Sequence, residues 1–128
     1  MPGTLSIEEL DALAERGAVK TVICGMPDIW GRLVGKRLTV EAFRRCAVGS
    51  EGLHASSYLF CVDMDMDPRP GYALTDWDRG FHDCVMAPDL DTIRLLPWVP
   101  ETAFVLCDPA DHDHQPLPIG PRTIAARS

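Results

Sequence analysis

The sequence predicts an α+β domain, a mixed sheet of about six short strands packed with two helices. Three observations predict it. A capped amphipathic pattern opens the chain, and two β-branched apolar runs flank a Pro/Gly turn as in a hairpin. Three further short apolar runs lie between Cys84 and Cys107, separated by Pro-containing breaks. At 128 residues, 46% apolar and 24% charged, the chain suits one domain with a core that needs no staples.

Ser6-Ile7-Glu8-Glu9 forms a capping box, after which Ile7, Leu10, Leu13 and Ala14 recur at helical spacing and Gly17 stops the helix. Val19 to Met26 reads as a strand, Pro27 and Gly31 bracket a turn, and Arg32 to Leu38 returns as a second strand. Gly35 inside that return predicts a bulge or a close backbone approach. Thr39 caps a short helix with Val40, Phe43 and Ala47 facing inward, and Gly49 ends it. Tyr58 to Val62 reads as a third strand. The stretch from Asp63 to Asp83, rich in Asp, Pro and Gly with Tyr72, Trp77 and Phe81 interspersed, reads as a long loop of the functional or interface-forming kind. Cys84 to Ala87, Thr92 to Leu96 and Thr102 to Cys107 complete the strands, with Trp98 expected in the core. Asp111 to Pro118 is a polar solvent loop, and Pro121 to Ser128 starts a helix-like pattern.

A formal charge of −7 argues against a nucleic-acid surface, which needs clustered Lys and Arg. No apolar run is long enough to span a bilayer and no basic-then-apolar signal opens the chain, so a cytoplasmic protein is expected, with no membrane partner. The five cysteines are odd in number and lack metal spacing; Cys24, Cys61 and Cys107 sit in apolar runs, as buried reduced thiols do.

Asp63-Met64-Asp65-Met66-Asp67 opens like a calcium loop, but Pro68 and Leu74 stand where that loop needs its turn glycine and its bidentate glutamate. Period-2 placement accounts for it better: the aspartates share one face while Met64 and Met66 point to the core. Such a face meets solvent or a cation. A sharper alternative is an amine site, since carboxylates attract an ammonium group and can take its proton before nucleophilic attack. Arg32, Lys36 and Arg37 read as a solvated strand face. Asp111-His112-Asp113-His114 has the composition of a metal site, but ligands on adjacent loop residues rarely converge on one ion. The chain shows no phosphate loop, no catalytic Ser/His/Asp order and no dinucleotide fingerprint.

Three signatures stand in order. They are Asp28-Ile29-Trp30-Gly31-Arg32-Leu33-Val34-Gly35-Lys36-Arg37; the run D-C-V-M-A-P-D-L-D-T-I-R from Asp83 to Arg94, leading into Leu95-Leu96-Pro97-Trp98; and Cys107-Asp108 followed by Pro121-Arg122-Thr123-Ile124-Ala125. Together they resemble the N-terminal domain of the glutamine synthetase family, from Val19 to the end of the chain. The strings Val62 to Asp67, Pro70-Gly71-Tyr72 and Leu96-Pro97-Trp98 look more like its γ-glutamyl-polyamine and γ-glutamyl-ethanolamide synthetase branch.

The resemblance implies a β-grasp arrangement, divided as an N-terminal helix (1–17), the β-grasp domain (18–120) and the start of a linker to an absent catalytic domain (121–128). It implies an ATP-dependent ligase joining ammonia or an amine to the γ-carboxylate of glutamate. ATP and Mg²⁺ or Mn²⁺ would belong to the full-length enzyme, with no cofactor or metal held by this chain. In the family, a loop at this place crosses to the neighbouring subunit and supplies an acidic residue to the ammonium site. The usual Asp-Gly-Ser-Ser form is missing, and the equivalent falls near Asp65 or Asp67, with Asp83 a further candidate on the amine side. Asp89 reads as structural, ending a strand. The implied partners are the catalytic domain, in cis or in a neighbouring subunit, within a dodecamer-like homo-oligomer, and the chain alone would be inactive. The alternative is a free-standing non-catalytic module that binds and modulates a full-length homologue.

Overall fold

The computed structural model describes residues 3–28, 30–49, 52–56, 83–111, 115–117 and 120–127. Helix α1 (Ile7–Glu15) begins with the expected reciprocal cap: the Glu9 amide donates to Ser6 Oγ at 3.1 Å and the Ser6 amide to Glu9 Oε1 at 3.2 Å. Leu10 is fully buried, and Leu5, Ile7 and Leu13 pack beside it. The helix ends where Gly17 turns left-handed, at φ +74°.

Strands β1 (Thr21–Pro27) and β2 (Leu33–Thr39) form the expected hairpin, in unbroken register from Thr21↔Thr39 to Pro27↔Leu33. There is no bulge at Gly35. The close approach holds instead: a Cβ there would run into the Cys24 carbonyl oxygen of the facing strand. Thr39 Oγ1 accepts the Ala42 amide at 3.1 Å and opens α2 (Val40–Phe43), in which Phe43 is fully buried. The run then widens into a π turn (Arg44–Val48), closed by the Gly49 amide on the Arg44 carbonyl at 2.8 Å. Gly49 is extended rather than left-handed, and a Cβ there would come within 2.7 Å of the Arg45 carbonyl oxygen.

Strands β3 (His54–Ser56), β4 (Asp83–Pro88), β5 (Arg94–Leu95) and β6 (Thr102–Ala110) complete the sheet, and α3 (Pro121–Arg127) follows. The strand expected over Tyr58 to Val62 and the Asp/Pro/Gly-rich loop up to residue 82 lie outside the described residues. The strand expected from Thr92 to Leu96 is only partly formed. Asp89 Oδ1 accepts the Asp91 amide at 3.2 Å and caps a 3₁₀ turn (Leu90–Thr92). Thr92 Oγ1 donates to the Asp89 carbonyl at 2.7 Å and accepts the Leu106 amide at 2.9 Å. A local hydroxyl network thus overrides the strand preference of a β-branched residue. Trp98 is not in the core: it is 77% exposed, on the turn that closes at Glu101, whose φ is +58°.

The strand order is β2-β1-β6-β4-β3, with β5 also on β6. The first and last strands, β1 and β6, lie parallel in the middle, and every other pairing is antiparallel. That is the β-grasp frame. Strand β6 changes partner midway, pairing with β1 over residues 102–106 and with β4 over 107–110. The Asp89 amide caps the Leu106 carbonyl at 2.8 Å at the changeover. Alternate residues Val22, Cys24 and Met26 of β1 and Ala103, Val105 and Cys107 of β6 form a buried core with Leu10, Phe43, Met86 and Ile93.

Candidate functional site

Asp65 and Asp67 lie outside the described residues. Asp83 is the first residue of β4, in register with Ser56 of β3. The described surface offers a different feature, the sheet face turned away from the core.

On that face the side chains of Ile23, Leu33, Arg37 and Phe104 alternate with core positions, and Gly25 faces Gly35 across the hairpin. The Phe104 ring lies over Gly25, where a Cβ would come within 2.8 Å of it. These residues, with Val34 and Lys36, line a shallow groove of about 200 Å³. Leu33 is 59% exposed and Trp30 50% exposed. A parallel strand pair is ordinarily covered on both faces. An apolar groove with a basic rim suits contact with another surface.

The hairpin tip beside the groove is built on a buried carboxylate. Asp28 Oδ1 accepts the amides of Trp30 (2.8 Å) and Arg32 (2.9 Å), and Oδ2 accepts Arg32 Nε at 2.9 Å. The Asp28 side chain is 0% exposed and that of Arg32 32%. Gly31, at φ +79°, completes the turn. From the sequence, Arg32 reads as a solvated strand charge, and Asp28 opens the first signature without a role of its own. The available signal was an Asp ahead of Trp-Gly-Arg, the place of a side chain that bonds to backbone two residues on.

A second charged cluster unites the second and third signatures. Arg122 of α3 donates from Nη2 to Asp89 Oδ2 and from Nη1 to Asp108 Oδ2, each at 2.7 Å. The bond to Asp89 above all, opposed by partial burial and aided by Asp108, holds the guanidinium above its already high ordinary value. The structural reading of Asp89 holds: one oxygen caps a turn and the other binds Arg122.

Cys24 and Cys107 are buried free thiols, as expected, and so is Cys84, whereas Cys46 is half-buried; Cys61 lies outside the described residues. The Cys107 thiol is pushed far above its ordinary range by the hydrogen bond it shares with Cys24 and then by burial. Because Cys24 is in register with Val105, Cys107 stands two residues further along. Their Cα atoms are then about 8 Å apart, too far for a disulfide without backbone movement. Among the described residues no group of three or more His, Cys, Asp or Glu side chains is placed to hold a metal ion. Asp28 pairs with Arg32, and Asp89 and Asp108 both pair with Arg122. No described helix is long and apolar enough to cross a membrane.

No family model matches the chain. It is 42% identical over 123 residues to γ-glutamylethanolamide synthetase GlnA4 of Streptomyces coelicolor, covering 96% of this chain and 26% of that protein. It is 34% identical over 114 residues to a glutamate–isopropylamine ligase of Pseudomonas sp., covering 89% and 25%. The fold matches a solved structure of GmaS with ADP at a TM-score of 0.66 and 19% identity, over 92% of this chain and 24% of that one. The chain thus spans about a quarter of the length of these relatives. Three ordered signatures, a β-grasp frame and matches along nearly the whole chain agree: it belongs to the glutamine synthetase family and corresponds to its N-terminal domain.

Proposed function

We propose that this chain is the N-terminal domain of an ATP-dependent glutamate–amine ligase and forms the amine-side wall of an active site completed by a catalytic domain. The observation that carries this is the 42% identity extending over 96% of the chain to a γ-glutamylethanolamide synthetase. The catalytic domain lies in cis or in a neighbouring subunit of a dodecamer-like homo-oligomer in the cytoplasm. It binds ATP and Mg²⁺ or Mn²⁺, while this chain alone is inactive. Residues 121–128 open the linker towards it. The apolar groove and the hydrogen-bonded hairpin tip support a role as a wall, because among the described residues both present preformed surface.

In this reading the carboxylates of Asp65, Asp67 and Asp83 draw the ammonium form of the substrate to the wall, and one of them takes its proton. The neutral amine then attacks the carbonyl carbon of γ-glutamyl phosphate, which the catalytic domain would form from glutamate and ATP; phosphate leaves as the C–N bond forms, and a second proton passes from nitrogen to solvent. The test uses a chimera in which this chain replaces the matching quarter of the Streptomyces coelicolor relative. Asp65→Asn, Asp67→Asn and Asp83→Asn, made singly, should include at least one variant whose KM for amine rises about tenfold or more while KM for glutamate is unchanged. Three unchanged amine KM values would remove these aspartates from the site. Ethanolamine or putrescine should outperform ammonium as acceptor, and ammonium as the sole good substrate would overturn the assignment to substituted amines.

A further inference from the structure

Cys24 of β1 and Cys107 of β6 are both fully buried, on the two parallel strands in the middle of the sheet. Both point into the core, Cys24 between Val22 and Met26 on β1 and Cys107 next after Val105 on β6. Cys24 is in register with Val105, so the two thiols meet diagonally across the strand pair, sharing a hydrogen bond. That bond lowers the Cys24 thiol below its ordinary value and raises Cys107 above it, so the first proton to leave comes from Cys24.

The spacing decides what the pair can do. A disulfide needs sulfurs about 2.05 Å apart and Cα atoms within about 7 Å, and these Cα atoms are about 8 Å apart. An ion held linearly between two thiolates, with metal–sulfur bonds of about 2.3 Å, needs sulfurs about 4.6 Å apart. Side chains converging from Cα atoms about 8 Å apart suit the second span and not the first. Charge then selects the ion. Every other member of the core cluster is an apolar side chain or a thiol, so a complex with net charge would be costly there. Two thiolates and a divalent ion sum to zero. A tetrahedral ion such as zinc wants four ligands, and among the described residues no third His, Cys, Asp or Glu joins the pair.

We propose that Cys24 and Cys107 form a two-coordinate site for a soft divalent ion such as the mercuric ion, held as a neutral bis-thiolate that ties β1 to β6. Both S–H bonds break, two protons pass to solvent, two sulfur–metal bonds form, and no electron is transferred. In the unfolded chain the same tie would have to close a loop of about 80 residues, so the ion favours the folded state.

Mercuric chloride added to the 128-residue chain tests this, in a background of Cys46→Ser, Cys61→Ser and Cys84→Ala that leaves only the pair. One ion per chain should bind, slowly, because the site opens only when the central strands do. Binding should bring up the ultraviolet thiolate-to-metal charge-transfer band and lower the unfolding equilibrium constant at least tenfold in a denaturant titration. The bound ion should survive a challenge with excess small monothiol, whereas Cys24→Ala and Cys107→Ala in the same background should lose it and gain no stability. Two ions per chain, a chain destabilised by the ion, or equal retention by either alanine variant would overturn the proposal. Should the Cys84 substitution unfold the background, the version that keeps Cys84 gives the same readout at one equivalent of ion, because a single thiol does not outcompete a chelating pair.

Discussion

Gly35→Val is expected to leave much of the chain unfolded at 25 °C, and Gly35→Ala to lower its stability by about 3 kcal/mol or more. The obstacle is the Cys24 carbonyl oxygen, which a Cβ at position 35 would strike. Overpacking against a flexible side chain is relieved by a rotamer change. A carbonyl in the centre of an unbroken register cannot move without breaking the β1–β2 ladder from Thr21↔Thr39 to Pro27↔Leu33. Since β1 also carries Val22, Cys24 and Met26 into the core, the damage reaches the whole domain. Denaturant titration measures it. An alanine variant as stable as the parent would mean that the hairpin has room the structure does not show.

Asp28→Ala should cost about 3 kcal/mol, with Asp28→Asn in between. One buried carboxylate accepts from two backbone amides and one guanidinium, and alanine leaves all three without that acceptor. Breaking a buried pair typically costs about 3–5 kcal/mol, and the partial exposure of Arg32, at 32%, moves the expectation to the lower end of that range. Asparagine retains an acceptor for the two amides and loses the charged partner. The same titration, with exchange rates of the Trp30 and Arg32 amides, checks both variants. The tip amides should become labile even where the remaining sheet stays protected.

What was legible in the sequence is what is local. The Ser6–Glu9 box, the Thr39 cap and the β1–β2 hairpin each depend on residues only a few positions apart, and each appears as expected. Thr92 and Trp98 were misread because propensity and apolarity are averages, whereas a hydroxyl network and a tight turn decide those two positions. The parallel pairing of β1 with β6 joins Thr21 to Thr102, and an ion pair joins Asp89 to Arg122. No spacing rule announces either; family resemblance marked Asp89, Cys107-Asp108 and Pro121-Arg122 without saying that they meet. The amine-side candidates Asp65 and Asp67 rest on that resemblance, and for Asp83 the structure adds a place at the head of β4.

The central claim is that this chain is one wall of a ligase site and needs a catalytic domain to act. Glutamate, ATP and ethanolamine should be supplied to three preparations: the 128-residue chain, the catalytic portion of the Streptomyces coelicolor relative, and the two joined. The account predicts γ-glutamyl amide and ADP from the joined protein only. Amide formation coupled to ATP consumption by the purified chain alone, or a joined protein no more active than the catalytic portion by itself, would contradict it.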